Sequence, residues 1–189
     1  ASSRGPVNDG RIKPEITAGG WNVISTFPNN NYGSGYGTSM ASPAVAGAMA
    51  LLYERYRQLH AGADPKSSLI KTLACNTAED LGNKGPDYTF GFGLLNARRA
   101  VEAMEANRYF VSTLTTGANK QHSITVAPNT RRLKIMLYWA DTAAATNAAT
   151  ALVNDLDLTV TEPSAILHRP LILNAVAANV NDVAVEEID

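Results

Sequence analysis

Residues 37 to 43 read GTSMASP. Ser39 sits between small residues, directly ahead of an apolar run from Ala44 to Leu52. A serine hydroxyl in that place has two uses. It can cap a helix, because the first N–H groups of a helix have no acceptor within it. Ser42 is the better cap by pattern, since Pro43 suits the first helical position, and Ser39 then lies just outside with its side chain free. The second use is nucleophilic. The entrance of a buried helix is the positive end of its dipole, and backbone N–H groups there can stabilise an oxyanion during acyl transfer. Gly33, Gly35 and Gly37 let the approaching backbone bend tightly and a substrate come close. An α/β-hydrolase elbow is excluded: it would read Gly-x-Ser-x-Gly after a buried strand, whereas the last position here is Ala41 and the preceding segment is a polar loop. On these residues alone, cap and nucleophile both stand.

The elements around Ser39 follow from local pattern. Residues 5 to 20 are rich in Gly and Pro and read as loop. WNVISTF, residues 21 to 27, reads as a short strand, and PNNNYGSGYG as a loop of turn residues. TSMASPAVAGAMALLYERYRQLH reads as one helix whose first half has no polar face, which predicts burial. Charges from Glu54 onward predict that its far end surfaces. Asp64 followed by Pro65 predicts a cap and first turn for a helix running to about Asn76. GFGLLNARRAVEAME predicts a glycine turn and a helix ending near Asn107. After residue 108 the texture changes to short β-prone runs, YFVSTLTT, HSITVAP, LKIMLYW and LDLTVTE, separated by turn residues. That recurrence predicts an antiparallel sandwich or jelly-roll-like region. The expected organisation is an α/β region over residues 1–106 and an all-β region over 107–189.

The totals narrow the function classes. The chain has 189 residues, enough for one large or two small cores, and a formal net charge of −1. Charged residues make up 17% with both signs mixed, so there is no basic patch for a nucleic acid. No apolar stretch is long enough to span a bilayer. The single Cys75 excludes an internal disulfide and a thiolate metal cluster, and LACNTA around it reads as core. The opening ASSRGPVNDGRIKPEI reads as the interior of a longer chain.

GTSMASPAVAGAMALL resembles the nucleophile segment of the subtilisin-like serine proteases, the subtilases of peptidase family S8. SSRGP with DGRIKPEI, LACNTA and FGFGLLNARRAV resemble three further segments of that family in the same order, covering residues 1 to about 106. LKIMLYWADT and LVNDLDLTV resemble the β-domain that follows the protease in one alkaline-protease branch. The resemblance implies a partial subtilisin-like α/β fold. It implies Ser39 as nucleophile, with its backbone N–H as one oxyanion donor and with Gly37, Thr38 and Met40 flanking the site. It implies polypeptide substrates, no cofactor for the chemistry and a secreted protein.

A nucleophilic serine needs a base, and the base an orienter. In subtilases the order is Asp, His, Ser, and the His stands in a His-Gly-Thr setting. No His precedes Ser39 in this chain, and Asp9 lies in a loop, VNDG, that does not match the family's Asp motif. Asn22 and Asn29 to Asn31 are too close to Ser39 in sequence to be the family's side-chain oxyanion donor. His60 falls at the far end of the helix, roughly 30 Å from Ser39, and His122 and His168 lie in the β-prone region. The expectation is therefore one triad member of three, with the partners supplied by an upstream segment or a second chain. The alternative is an inactive fragment or pseudoenzyme whose β-region binds something.

A cation is a further expectation. In LVNDLDLTV, Leu156, Leu158 and Val160 alternate with Asp155, Asp157 and Thr159, so the two carboxylates share one strand face. They repel unless exposed or bridged, and Ca²⁺ takes such oxygens, with Asn154 and Asp141 able to add ligands. The competing reading is a solvated acidic face, or Asp side chains that hold loop backbone.

Overall fold

In the computed structural model, residues 2 to 187 are described. The first elements form a hairpin. β1 (Val23–Phe27) pairs antiparallel with β2 (Asn31–Gly35) from Val23 opposite Gly35 to Phe27 opposite Asn31. β1 matches the expected strand, but β2 falls where turn residues predicted only a loop. The turn needs left-handed backbone at Asn29 and Asn30, with φ of 63° and 54°, and Asn tolerates it. The asparagines thus mark the bend, and the glycines after them form a strand because β1 supplies a ladder.

α1 (Thr38–Leu59) follows, with Gly37 as its N-cap residue. This corrects the expected start: neither Ser42 nor any other side chain caps the helix, and Pro43 lies inside it. The Gly37 carbonyl accepts from the N–H groups of Met40 and Ala41, which closes the first turn five residues earlier than the Ser42-Pro43 pattern suggests. Gly37 has φ of 131°, a conformation that side-chain-bearing residues rarely adopt, so glycine is required where the strand turns into the helix.

α2 (Ser67–Asn76) and α3 (Ala97–Glu105) complete the helices. α2 ends as expected but starts late, at Ser67 after Lys66, because Asp64 is engaged by Arg57 at 2.6 Å instead of capping. α3 is capped by Asn96, whose side-chain oxygen accepts from Arg99 N–H at 3.0 Å while its amide donates to Glu79 Oε1 at 2.6 Å. Asn96→Ala removes both bonds and is expected to cost about 1–2 kcal/mol, read as a lower urea midpoint with an unchanged slope.

The core lies between the three helices. Leu52, Leu69, Ile70, Leu73, Ala100 and Met104 are buried together, with Met49, Tyr53 and Tyr56 packed against them. Cys75 is also buried, and burial pushes its thiol up to about 11. It is a core thiol, not a reactive one. The core engages only the second half of α1. The first half was expected to be buried, yet Pro43, Ala44, Ala46, Gly47 and Ala50 are exposed and Leu51 keeps 61% of its surface. α2 and α3 are short and reach only the stretch around Leu52, so no described element covers the apolar flank beside Ser39.

The glycine turn before α3 holds the region together by close backbone approach. Leu94 exchanges both backbone hydrogen bonds with Glu79, and Thr17 N–H donates to Gly93 O at 2.9 Å. Gly93 has φ of 113°, and a Cβ there would collide with the Glu79 carbonyl, so the turn admits only glycine.

Beyond α3 the expected sandwich is not confirmed. Among the described residues only short ladders form: β3 (Val160–Thr161) with β4 (Leu167–His168), and β5 (Leu171–Ile172) with β6 (Val185–Glu186). LDLTVTE contributes β3, whereas YFVSTLTT, HSITVAP and LKIMLYW join no ladder. Strand propensity reports a fit to a pleated, half-buried surface, and here that surface is missing: Phe110, Val111, Leu114, Ile124 and Val126 are exposed. The segment is nevertheless tied to the helices. Asn76 Nδ2 donates to Lys134 O at 3.2 Å, Lys71 lies 4.8 Å from the Tyr138 ring centroid, and Arg132 approaches Asp80 at 3.6 Å.

Candidate active site

Ser39 occupies the second position of α1 and is exposed. The local sequence places it there. The hairpin delivers the chain to Gly37, whose N–H donates to Gly20 O at 2.7 Å, and its left-handed backbone then turns directly into the helix. Thr38 is exposed; Met40 is half-buried, its side chain lying over Gly35 of β2. The Ser39 hydroxyl makes no hydrogen bond among the described residues, and its backbone N–H, in the unsatisfied first turn, has no backbone acceptor there. The hydroxyl and a free N–H are therefore offered together at the positive end of a 22-residue helix. Pro43 adds to this. It lacks the N–H that would return to the carbonyl of Ser39, four residues back, so the helical ladder is open at the serine on its acceptor side as well.

The three histidines are engaged elsewhere. His60 follows the last residue of α1, across a helix that spans roughly 30 Å. Its ring stacks on Tyr56 with centroids 3.8 Å apart; Nδ1 lies 2.9 Å from Tyr56 O and Nε2 lies 3.0 Å from Tyr109 Oη. A carbonyl only accepts, so the Nδ1 N–H is the donor to Tyr56 O. His122 stacks on Phe110 with centroids 4.0 Å apart. His168 sits between Glu162 at 2.9 Å and Glu186 at 3.6 Å; its hydrogen bond to Glu162, above all, raises its pKa. Asp9 is paired with Arg11 at 2.8 Å and accepts from Ala151 N–H. Asn22 accepts from the Ser34 hydroxyl at 2.5 Å. Among the described residues none of these acts on Ser39.

Asp87 is a carboxylate whose place the sequence did not announce. It is the one buried charged residue among those described. Its oxygens accept from the N–H groups of Asn83, Thr89 and Phe90 at 2.7–3.1 Å. Those donors satisfy it, so it anchors the loop before α3 and is no base. The signal that could have found it is GPDYTFG, an acid followed by the turn whose amides it collects.

The expected cation ligands do not assemble. Asp141 and Asn154 do meet, at 2.7 Å, but through the Asn154 amide donor. Asp141 also accepts from the backbone N–H groups of Thr142, Val153 and Asn154. Its oxygens hold a loop closed, as in the competing reading of these acids. Asp155 and Asp157 are exposed and Leu156 and Leu158 half-buried, so exposure alternates along the run as expected, ahead of β3. Among the described residues no three carboxylate, His or Cys side chains converge to hold a metal ion.

Asp141 makes a pH prediction. The Val153 N–H, first among its donors, holds its carboxyl below the usual value of 3.8. A depressed native pKa stabilises the loop above pH 3.8 and ceases to do so as pH falls through the native value. The amide proton shifts of Val153 and Asn154 are expected to stay constant above about pH 5 and to move together well below pH 4. Asp141→Asn should flatten that titration.

Part of the chain is similar to known proteins. The model of the subtilase family matches residues 1–93. The chain is 37% identical over 123 residues to the PII-type proteinase of Lactococcus lactis subsp. cremoris, covering 56% of this chain and 6% of that protein. It is 41% identical over 115 residues to the minor extracellular protease Vpr of Bacillus subtilis, covering 54% and 13%. It is 41% identical over 88 residues to subtilisin DY of Bacillus licheniformis, covering 47% and 29%. The chain thus spans less than a third of the length of each of these relatives. No helix among the described residues is long and apolar enough to cross a membrane. Residues 1–93, with GTSMASP and Ser39 among them, match the subtilase family, and together with these relatives the match supports a subtilisin-like serine protease region there.

Proposed function

We propose that this chain contributes the nucleophile of a secreted endopeptidase that cleaves polypeptides through an acyl-enzyme on Ser39. The observation that carries the reading is the exposed Ser39 hydroxyl beside its own unpaired N–H in the first turn of α1. In the acylation step Ser39 Oγ forms a bond to the substrate carbonyl carbon and its proton passes to a base. The carbonyl oxygen gains negative charge, which the Ser39 N–H and the helix terminus stabilise. Collapse expels the amine, which takes the proton, and water then repeats the sequence to release the acid. Thr38 and Met40 flank the nucleophile, and Gly37 fixes the turn that presents it.

The base and its orienting carboxylate come, in this reading, from a polypeptide segment other than residues 2–187. The support is twofold. Every histidine described is bonded or stacked away from Ser39. The exposed apolar flank of α1, Pro43 to Leu51, also adjoins Ser39 and gives such a segment a surface to bury. Secretion is supported by the name of the extracellular relative. The second reading, an inactive pseudoenzyme, draws on the same lack of a base.

The test uses the 189-residue chain alone against a fluorogenic peptide. No turnover above background is expected, because removing the base alone costs several orders of magnitude. Turnover by the pure chain that Ser39→Ala abolishes would mean that a base within this chain reaches the serine. Absence of turnover in the protein expressed from its full reading frame would favour the pseudoenzyme.

A further inference from the structure

The sequence holds two Arg-Arg pairs, Arg98-Arg99 and Arg131-Arg132, and the structure treats them differently. Arg98 and Arg99 lie in the first turn of α3. Arg98 is paired with Glu102 at 2.7 Å, and the next residue after the pair, Ala100, is fully buried in the helical core. Arg131 and Arg132 stand near the end of a run, residues 110–134, in which every residue is exposed and none belongs to a helix or a ladder. Asn129 turns the chain with φ of 62°, and Thr130 N–H donates to Ala127 O at 3.3 Å. Beyond that turn the backbone of Arg131, Arg132 and Leu133 makes no hydrogen bond among the described residues. Arg131 has no ion pair among them, and Arg132 only approaches Asp80 at 3.6 Å, with 61% of its side chain open. Lys120 shares the run but lies inside a loop closed by the stacking of Phe110 on His122.

We propose that Arg131-Arg132 is a processing site, cut by a protease that takes basic side chains, and that the cut leaves the two pieces of the chain held together. Exposed chain outside any ladder is where nicking concentrates, because its free N–H and C=O groups can pair with a cleft as an added strand. The arginines supply side chains that a carboxylate in the protease pocket can hold. Arg98-Arg99 carries the same signal in the sequence, yet α3 must unwind before it fits such a cleft. In the step itself water adds across the Arg132–Leu133 bond. Its oxygen joins the Arg132 carbonyl carbon, the C–N bond breaks, and Leu133 leaves with the proton on its new amino group. The chain beyond the pair stays anchored. Asn76 Nδ2 donates to Lys134 O at 3.2 Å, Ala151 N–H donates to Asp9 at 3.3 Å, and Asn83 Nδ2 donates to Asn181 O at 2.8 Å. Each of these bonds joins a residue before the pair to one after it, so a cut removes none of them. The proposal does not depend on the role of Ser39.

The experiment uses the protein expressed from its full reading frame, with Ser39→Ala so that every cut comes from the added protease. Trypsin is the probe, at low ratio, and new termini within the 189 residues are followed over time by mass spectrometry. The first cut is expected after Arg131 or Arg132. Cutting after Arg98 or Arg99 should be at least about 10³-fold slower, because that site opens only as the helices unfold. Arg131→Gln combined with Arg132→Gln should abolish the early cut, while Lys120→Gln leaves its rate unchanged. Size-exclusion chromatography of the nicked protein should return both pieces in one peak, and urea should part them. A first cut after Lys120, or an early cut that survives the double substitution, overturns the assignment to the basic pair. A first cut in the helices, or no cut within residues 110–134 before the core is lost, overturns it as well; a run covered by another polypeptide segment would give that result. Pieces that elute apart in native buffer overturn the retained complex.

Discussion

Ser39→Ala, made in the protein expressed from its full reading frame, is expected to lower kcat for a peptide substrate by about 10⁴- to 10⁶-fold. The upper figure is that of subtilisin itself, where loss of the nucleophile costs as much as loss of the whole triad. The geometry adds selectivity of effect. Ser39 makes no side-chain hydrogen bond among the described residues and is exposed, so removing its hydroxyl orphans no partner and the melting temperature should change little. Ser42→Ala is the matching control. Ser42 is exposed and caps nothing, so activity and stability should both survive. If both serines were mere helix residues, neither change would touch kcat.

The second large effect concerns stability. Leu52 is fully buried in the contact between α1, α2 and α3, and Met104 nearly so. Leu52→Ala is expected to cost about 3 kcal/mol, lost transfer energy plus a cavity that the surrounding helices only partly close. For a chain of this size that lowers the melting temperature by roughly 6–12 °C. Leu51, one residue earlier, points to the open flank. Leu51→Ala in the 189-residue chain alone should fall within about 0.5 kcal/mol. In the full-length protein the same change becomes a probe: a cost near that of Leu52→Ala would mean that another segment covers this flank, and no cost would mean that it stays open.

The contrast between Leu51 and Leu52 also shows what the sequence could and could not reveal. The apolar run from Ala44 to Leu52 correctly marked a helix, but a pattern that is apolar all round states a demand for burial without saying what meets it. Leu52 is buried among the helices and Met49 packs against that core, while Leu51 stays open. The same holds for YFVSTLTT, HSITVAP and LKIMLYW, whose β-prone side chains join no ladder because no neighbouring strand is offered. Legible features were those fixed by adjacent residues. GFGLLNARRAVEAME predicted a glycine turn followed by a helix, and Gly91 and Gly93 do lie in the turn ahead of α3; the Asn96 cap that closes its first turn was not singled out. Ser39 stood out as a candidate at the entrance of a helix, and only the resemblance of GTSMASP to a known family tipped cap against nucleophile; the cap was misplaced, since Gly37, not Ser42, begins the helix. β2 was hidden, since NYGSG has little strand propensity and depends on β1 for its ladder. Asp141 and Asn154, both named as possible cation ligands, do come together, but as acceptor and donor of a hydrogen bond, and no spacing argument separates that from a shared ligand.

The measurement that bears most directly on the central claim is covalent capture of the nucleophile. The protein expressed from its full reading frame is treated with a serine-directed fluorophosphonate and digested, and the modified site is read by mass spectrometry. Ser39 should carry the label stoichiometrically, with peptidase activity lost in proportion, because a serine paired with a base and facing free N–H donors is far more reactive than any other hydroxyl in the molecule. The 189-residue chain alone should not label. Labelling of a different serine, or full activity surviving with Ser39 unmodified, would contradict the account.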